Sequence, residues 1–168
     1  MTSYSKEVIG DLVAGKLPWP QTRRIMSAYK DDDRFFKYAA VLQDRVGWSD
    51  RILLPVSDHL FICESAEGRV TKCECGHSFG DYRRNWKLAA SIIVRDSEES
   101  LREIYPNSDL PDPEWMEIRE FICPECGTLH EVEAAAPGYP IVHDFEPDIE
   151  GFYRDWLGQP LPAETKGG

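Results

Sequence analysis

Lys72-Cys73-Glu74-Cys75-Gly76-His77-Ser78-Phe79 and Cys123-Pro124-Glu125-Cys126-Gly127 are the two stretches whose reading decides the fold. Each places two thiols close together and follows them with glycine, so that a tight turn can aim both sulfurs at one metal ion. In the second, Pro124 stiffens the turn and Gly127 lets the backbone close, the pattern of a zinc-ribbon knuckle. A tetrahedral site of Cys73, Cys75, Cys123 and Cys126 is the first expectation, because soft thiolates suit zinc and four protein ligands leave no position open for chemistry. The first cluster has one residue between its cysteines where most knuckles have two, so His77 stays open as an alternate ligand in place of Cys73. Iron on four thiolates is the other chemical option, although no redox-partner signal accompanies it.

Strand-like runs lead into and out of both clusters. Ile52–Val56, Leu60–Cys63 and Arg69–Lys72 precede the first, Trp86–Val94 continues the pattern, and Trp115–Ile122 and Thr128–Val132 flank the second. Ser97–Tyr105 reads as a short helix, capped by Ser97 with Glu98 and Glu99 in its first turn. Pro106–Pro113 reads as a loop. Before this β-rich region, Val8, Ile9, Leu12 and Val13 recur at helical spacing until Gly15 and Pro18. Gln21–Tyr29 adds a turn or two. Asp31-Asp32-Asp33 then opens the clearest helix, with Phe35, Ala39, Leu42 and Val46 on one stripe and Gly47 to end it. That stripe buries either on the chain's own core or on a partner.

The reading is therefore α+β: an N-terminal helical arm over 1–50, an antiparallel β-rich, zinc-ribbon-like domain with a long insertion over 51–147, and a short C-terminal helix with its tail over 148–168. A length of 168 residues with 42% hydrophobic residues supports a real core.

Charge and composition narrow the function. The 19 basic against 30 acidic residues leave a net −11, which argues against nucleic-acid binding built on phosphate neutralisation. From Asp109 to Asp155 there are 13 acids and two cations, while the remainder holds 17 of each sign, so all the excess lies in the second half. It reads as a solvated acidic face or as a docking surface for a basic partner. Tyr82-Arg83-Arg84-Asn85-Trp86-Lys87 interleaves bases with aromatics, but the patch is short and reads as a surface or packed loop. The start lacks a charged and then apolar leader, and no run of about 18 apolar residues exists, so a cytoplasmic protein with no membrane partner is expected. Thiols there stay reduced, which makes Cys63 the spare cysteine in an apolar run. His143-Asp144 is no base and orienter on spacing alone, since neighbours in an extended segment face opposite ways. His59 and His130 read as surface or packing positions. No phosphate-binding glycine loop and no nucleophile with a partner set occur, so no catalytic residue is assigned. Trp156, Phe152 and Tyr153 near the C-terminus read as interface anchors or as core.

Lys72–Phe79, Asn85-Trp86-Lys87-Leu88, Val94-Arg95-Asp96, Glu103-Ile104-Tyr105-Pro106, Cys123–His130, Gly138-Tyr139-Pro140, His143-Asp144-Phe145, Pro147-Asp148-Ile149 and Phe152–Gly158 together resemble the gamma subunit family of acetone carboxylase, in order and over nearly the whole chain. The resemblance implies a small zinc-containing accessory subunit of a heteromeric, ATP-dependent enzyme that carboxylates acetone with bicarbonate to acetoacetate. It further implies alpha and beta partner subunits in a heterohexamer, with ATP, Mg and Mn belonging to those partners. Related complexes act on aromatic ketones such as acetophenone. The other class of reading is a free-standing zinc-ribbon module that binds protein or nucleic acid.

Overall fold

In the computed structural model, residues 3–162 are described; the Lys166-Gly167-Gly168 tail lies outside them. Three helices come first: α1 (Lys6–Val13), α2 (Trp19–Ser27) and α3 (Arg34–Arg45). Ser5 caps α1 by accepting from the Val8 amide, and Pro18 and Pro20 sit at the start of α2, where a missing N–H does no harm. Asp31 is buried ahead of α3, where Arg34 and Lys37 both bond it. The α3 stripe settles on the chain's own sheet: Leu42 joins Ile52, Phe61, Cys63 and Val70 in one buried cluster, flanked by Val13, Tyr38, Val46 and Trp48.

Two antiparallel sheets follow. β1 (Arg51–Ser57), β2 (Leu60–Ser65), β3 (Gly68–Cys73) and β4 (Ser78–Asp81) form a meander in chain order. Pro55 is tolerated because β1 is an edge strand whose register shifts on either side of it. β5 (Ser91–Arg95), β6 (Glu117–Ile122) and β7 (Leu129–Ala135) form the second sheet, with helix α4 (Glu98–Ile104) between β5 and β6. Ser97 caps α4 in a reciprocal capping box with Ser100.

Two local expectations are corrected. Trp86–Val94 is not continuous strand: the Asn85 side chain accepts from the Lys87 amide at 3.1 Å and turns Trp86–Ala89 into a 3-10 turn before β5 begins. The strand expected from Trp115 starts at Glu117, because the amides of Trp115 and Met116 bond back to the Asp112 carbonyl in a turn. That turn leaves Trp115 79% exposed.

The sheets meet through side chains. Leu60, Cys73 and Phe79 from the first, Phe121 and Cys123 from the second, and Trp86 between them make one buried cluster. The C-terminus closes the other side, where α5 (Ile149–Gly151) runs into a π-helical turn at Phe152–Trp156. Tyr153 donates its hydroxyl to the Leu53 carbonyl at 2.9 Å, and Phe152 and Tyr153 pack edge-on against Phe35. These two are core, while Trp156 points to solvent. Among the described residues no helix is long and apolar enough to cross a membrane.

Candidate metal centre

The β3–β4 turn and the β6–β7 turn each carry one cysteine cluster, and they are built alike. In the first, the Cys73 amide donates to the His77 carbonyl at 2.8 Å and the Gly76 amide to the Cys73 carbonyl at 2.9 Å. In the second, the Cys123 amide donates to the Thr128 carbonyl at 2.8 Å and the Gly127 amide to the Cys123 carbonyl at 3.0 Å. Both turns close through a glycine at positive φ, +105° at Gly76 and +76° at Gly127. Residues with a Cβ are strained there.

The shorter first turn is held from outside as well. The Trp48 indole donates to the Glu74 carbonyl at 2.9 Å, and the Glu74 amide donates to the His59 carbonyl at 2.9 Å. The Glu74 carboxylate in turn bonds His59 Nδ1 and lies near Arg45. Glu74 between the two cysteines is thus fixed through backbone and side chain.

The four sulfurs of Cys73, Cys75, Cys123 and Cys126 all lie within 4.8 Å of one another. Cys73 Sγ is 3.7 Å from Cys126 Sγ, and Cys75 Sγ is 3.8 Å from Cys123 Sγ. A tetrahedron with metal–sulfur bonds of about 2.3 Å has edges of about 3.8 Å, which these two separations match, so the chemistry and spacing of the donor set suit a tetrahedral ion. Cys73 and Cys123 are buried in the inter-sheet cluster, and Cys75 and Cys126 face solvent. His77 supplies its carbonyl to the turn, while its ring sits edge-on to Phe79 with centroids 5.0 Å apart.

The thiols differ in acidity. Bonds from the Thr128 hydroxyl, 3.1 Å from the sulfur, and from the Thr128 amide bring Cys126 down to about 6, whereas burial pushes Cys73 and Cys75 up. An incoming cation would therefore meet a Cys126 sulfur eased toward the thiolate, while at Cys73 and Cys75 burial opposes loss of the proton. Thr128 drew no notice in the sequence beyond opening an exit strand. Its place directly after the Cys-Gly of the knuckle was the available signal.

Other singled-out residues lie elsewhere. Cys63 is fully buried, with burial pushing its thiol to about 12. Lys87 is 1% exposed; its ammonium pairs with Asp144 and, at 2.6 Å, with Glu131, and lies 5.1 Å from the centroid of the Phe121 ring. Trp86 is buried and Arg83 is paired with Asp81, so the basic-aromatic stretch presents no stacking platform. Asp144 serves Lys87 rather than His143. His130 packs edge-on to Phe79 and Trp86, and both of its buried ring nitrogens lack a hydrogen-bond partner among the described residues.

Comparison with known proteins shows which family the chain resembles along its length. A profile described as acetone carboxylase gamma subunit matches residues 46–157. Over 165 residues the chain is 48% identical to the acetone carboxylase gamma subunit of Xanthobacter autotrophicus, covering 97% of this chain and 98% of that relative. Over 111 residues it is 27% identical to the acetophenone carboxylase beta subunit of Aromatoleum aromaticum, covering 65% of this chain and 79% of that relative.

Proposed function

The chain belongs to the acetone carboxylase gamma subunit family, and from that premise we propose that it is the small zinc-binding accessory subunit of a heteromeric, ATP-dependent acetone carboxylase. In this reading the complex joins acetone and bicarbonate to give acetoacetate in the cytoplasm. Alpha and beta subunits complete a heterohexamer and hold the ATP, Mg and Mn. The single observation that carries the proposal is the 48% identity running end to end. An aromatic ketone such as acetophenone is the second substrate reading, favoured by the 27% match.

Zinc would be held by Cys73, Cys75, Cys123 and Cys126. Bound there, it would supply a structural cross-link, because four sulfurs fill its tetrahedral shell and leave no site for a substrate oxygen. The rest of the chain supports that role. In this reading the bounds are 1–50 for the helical arm, 51–147 for the zinc-ribbon-like unit and 148–168 for the C-terminal helix and tail. Lys87, committed to two carboxylates, ties the segment after β7 to the knuckle region.

Native mass spectrometry of the protein isolated gently from its source tests the reading. Two kinds of larger subunit, one zinc per copy of this chain and acetone carboxylation by the complex are expected. A lone chain, or a complex that carboxylates only an aromatic ketone, would overturn the acetone assignment.

A further inference from the structure

We propose that the outer face of the β5–β6–β7 sheet is the surface through which this subunit docks onto a larger carboxylase subunit, at an apolar patch rimmed by Lys and Arg. The inference rests on the reading of the chain as an accessory subunit.

Most of the inner face of this sheet is used up, with Val94 at its far end 42% exposed. Ile92, Phe121, His130 and Glu131 turn toward Trp86, Phe79 and Lys87. The register shift that pairs Phe121 with Glu131 but Ile122 with Leu129 leaves His130 as an extra residue, so His130 and Glu131 both face inward. That bulge sends Leu129 and Val132 outward together. On the outer face, Ile93, Glu120 and Val132 form one cross-strand row, and Ser91, Ile122 and Leu129 the next. Helix α4 covers the far end, where Arg95 reaches the Ser100 carbonyl and Leu101 is buried. The near end is bare: Ile93, Leu129 and Val132 are 41%, 46% and 54% exposed. Leu129, its cross-strand neighbour Ile122 and Val132 stand together on this face, and Ile93 faces them across Glu120, which distinguishes them from scattered exposed residues.

Charge identifies the occupant. Residues 91–135, which build this sheet and its connections, hold twelve acids against three arginines. Arg95 is shared by Glu103 and Glu120, Arg119 bonds Glu117 and the Tyr139 carbonyl, and Arg102 bonds the Ser108 carbonyl. The Glu103–Arg95–Glu120 group alone keeps one negative charge on the face, and Glu98 and Glu99 on α4 and Glu125 in the second knuckle are exposed as well. A second copy of this chain would bring the same acidic rim against its twin, and like charges in juxtaposition oppose that pairing. A larger subunit with a cationic rim around an apolar centre is complementary in both respects.

The test is co-expression of the chain with its larger subunits, followed by affinity measurement on the purified components. Val132→Lys combined with Leu129→Lys should weaken assembly at least about tenfold, as loss of a central anchor does. The isolated variant should keep its metal content and melting temperature, since both sites are exposed strand positions. If that variant loses its metal, Val132→Thr with Leu129→Thr takes its place and should weaken assembly severalfold. Wild-type affinity in a folded variant would overturn the surface while leaving the accessory-subunit reading intact. Failure of the wild-type chain to bind any larger subunit would overturn that reading and the surface with it. A wild-type chain that dimerises alone, and a variant that does not, would assign the face to self-association and also overturn the proposal.

Discussion

Acidification from pH 7 to pH 5 should destabilise the isolated chain by about 2 kcal/mol through His130 alone. Burial, reinforced by the nearby His59 and His77, lowers His130 from 6.5 to about 4. Its ring lies 5.5 Å from Phe79 and 5.7 Å from Trp86, centroid to centroid, with neither nitrogen partnered among the described residues. Between pH 6.5 and pH 4 the unfolded chain holds a proton on this imidazole that the folded chain refuses. Stability is therefore fully present above the unfolded value and declines as pH falls toward the folded one. Two-state linkage with these values gives about 0.2 kcal/mol of loss at pH 7 and about 2 kcal/mol at pH 5. His130→Phe removes the titration and keeps an aromatic of similar shape. It also removes an unpaired buried N–H, so at pH 7 its stability should equal or exceed the parent's by up to about 1 kcal/mol. Urea unfolding of both proteins at pH 7, 6 and 5, with metal content measured at each, isolates the effect, because both carry the same four cysteines. Parallel pH profiles would refute the argument. So would a loss above about 2 kcal/mol for His130→Phe at pH 7, which would reveal a bond to the imidazole.

Cys123→Ser should abolish stoichiometric metal binding and lower the melting temperature; bound metal at wild-type stoichiometry by elemental analysis would remove Cys123 from the ligand set. Gly76→Ala should lose about 1–3 kcal/mol, since its φ is +105° and the new Cβ would meet Trp48 Cδ1 at 3.2 Å. Gly68→Ala shares the φ but meets nothing within 4 Å, so denaturation should show a smaller loss there. Combining Glu131→Gln with Asp144→Asn strips both partners from the buried Lys87 and should destabilise by about 3–5 kcal/mol, whereas Lys87→Met should fall within about 1 kcal/mol of wild type. Trp156→Ala, at a position 84% exposed, should leave the melting temperature and metal content unchanged and weaken binding to larger subunits.

The two knuckles were legible because everything that makes them is local: two thiols, a turn and a glycine within a few residues. The α3 stripe was legible for a similar reason, as its periodicity reports one buried face whatever covers it. Long-range chemistry was not legible. For Lys87, in a stretch that reads as a surface or packed loop, the sequence left the choice open because Glu131 and Asp144, which hold it, lie 44 and 57 positions away in the chain. Strand β4 went unread, since Ser78–Asp81 has no alternation of its own and exists by pairing with β3. The turn at Trp86 was mistaken for strand because its apolar residues suited either state, and a single Asn85 bond decided between them. Phe152, Tyr153 and Trp156 looked equivalent as anchors; the π-helical turn separates them, two into the core and one into water.

Cys75 and Cys123 belong to different sheets, and no strand pairing joins those sheets among the described residues. An ion held by both knuckles turns the intervening chain into a closed ring. In the chain-entropy treatment of cross-links, a ring of about 48 residues restricts the unfolded polymer by about 4 kcal/mol. A disulfide would impose a similar restriction but would answer to the redox poise of its surroundings. With an ion bound, this tie would answer to metal supply: chelation would open the ring and leave the two hairpins held through the cluster of Leu60, Phe79, Trp86 and Phe121, so that residues 76–122 yield more readily to proteases. The survival time of an unassembled copy should therefore follow the concentration of free metal.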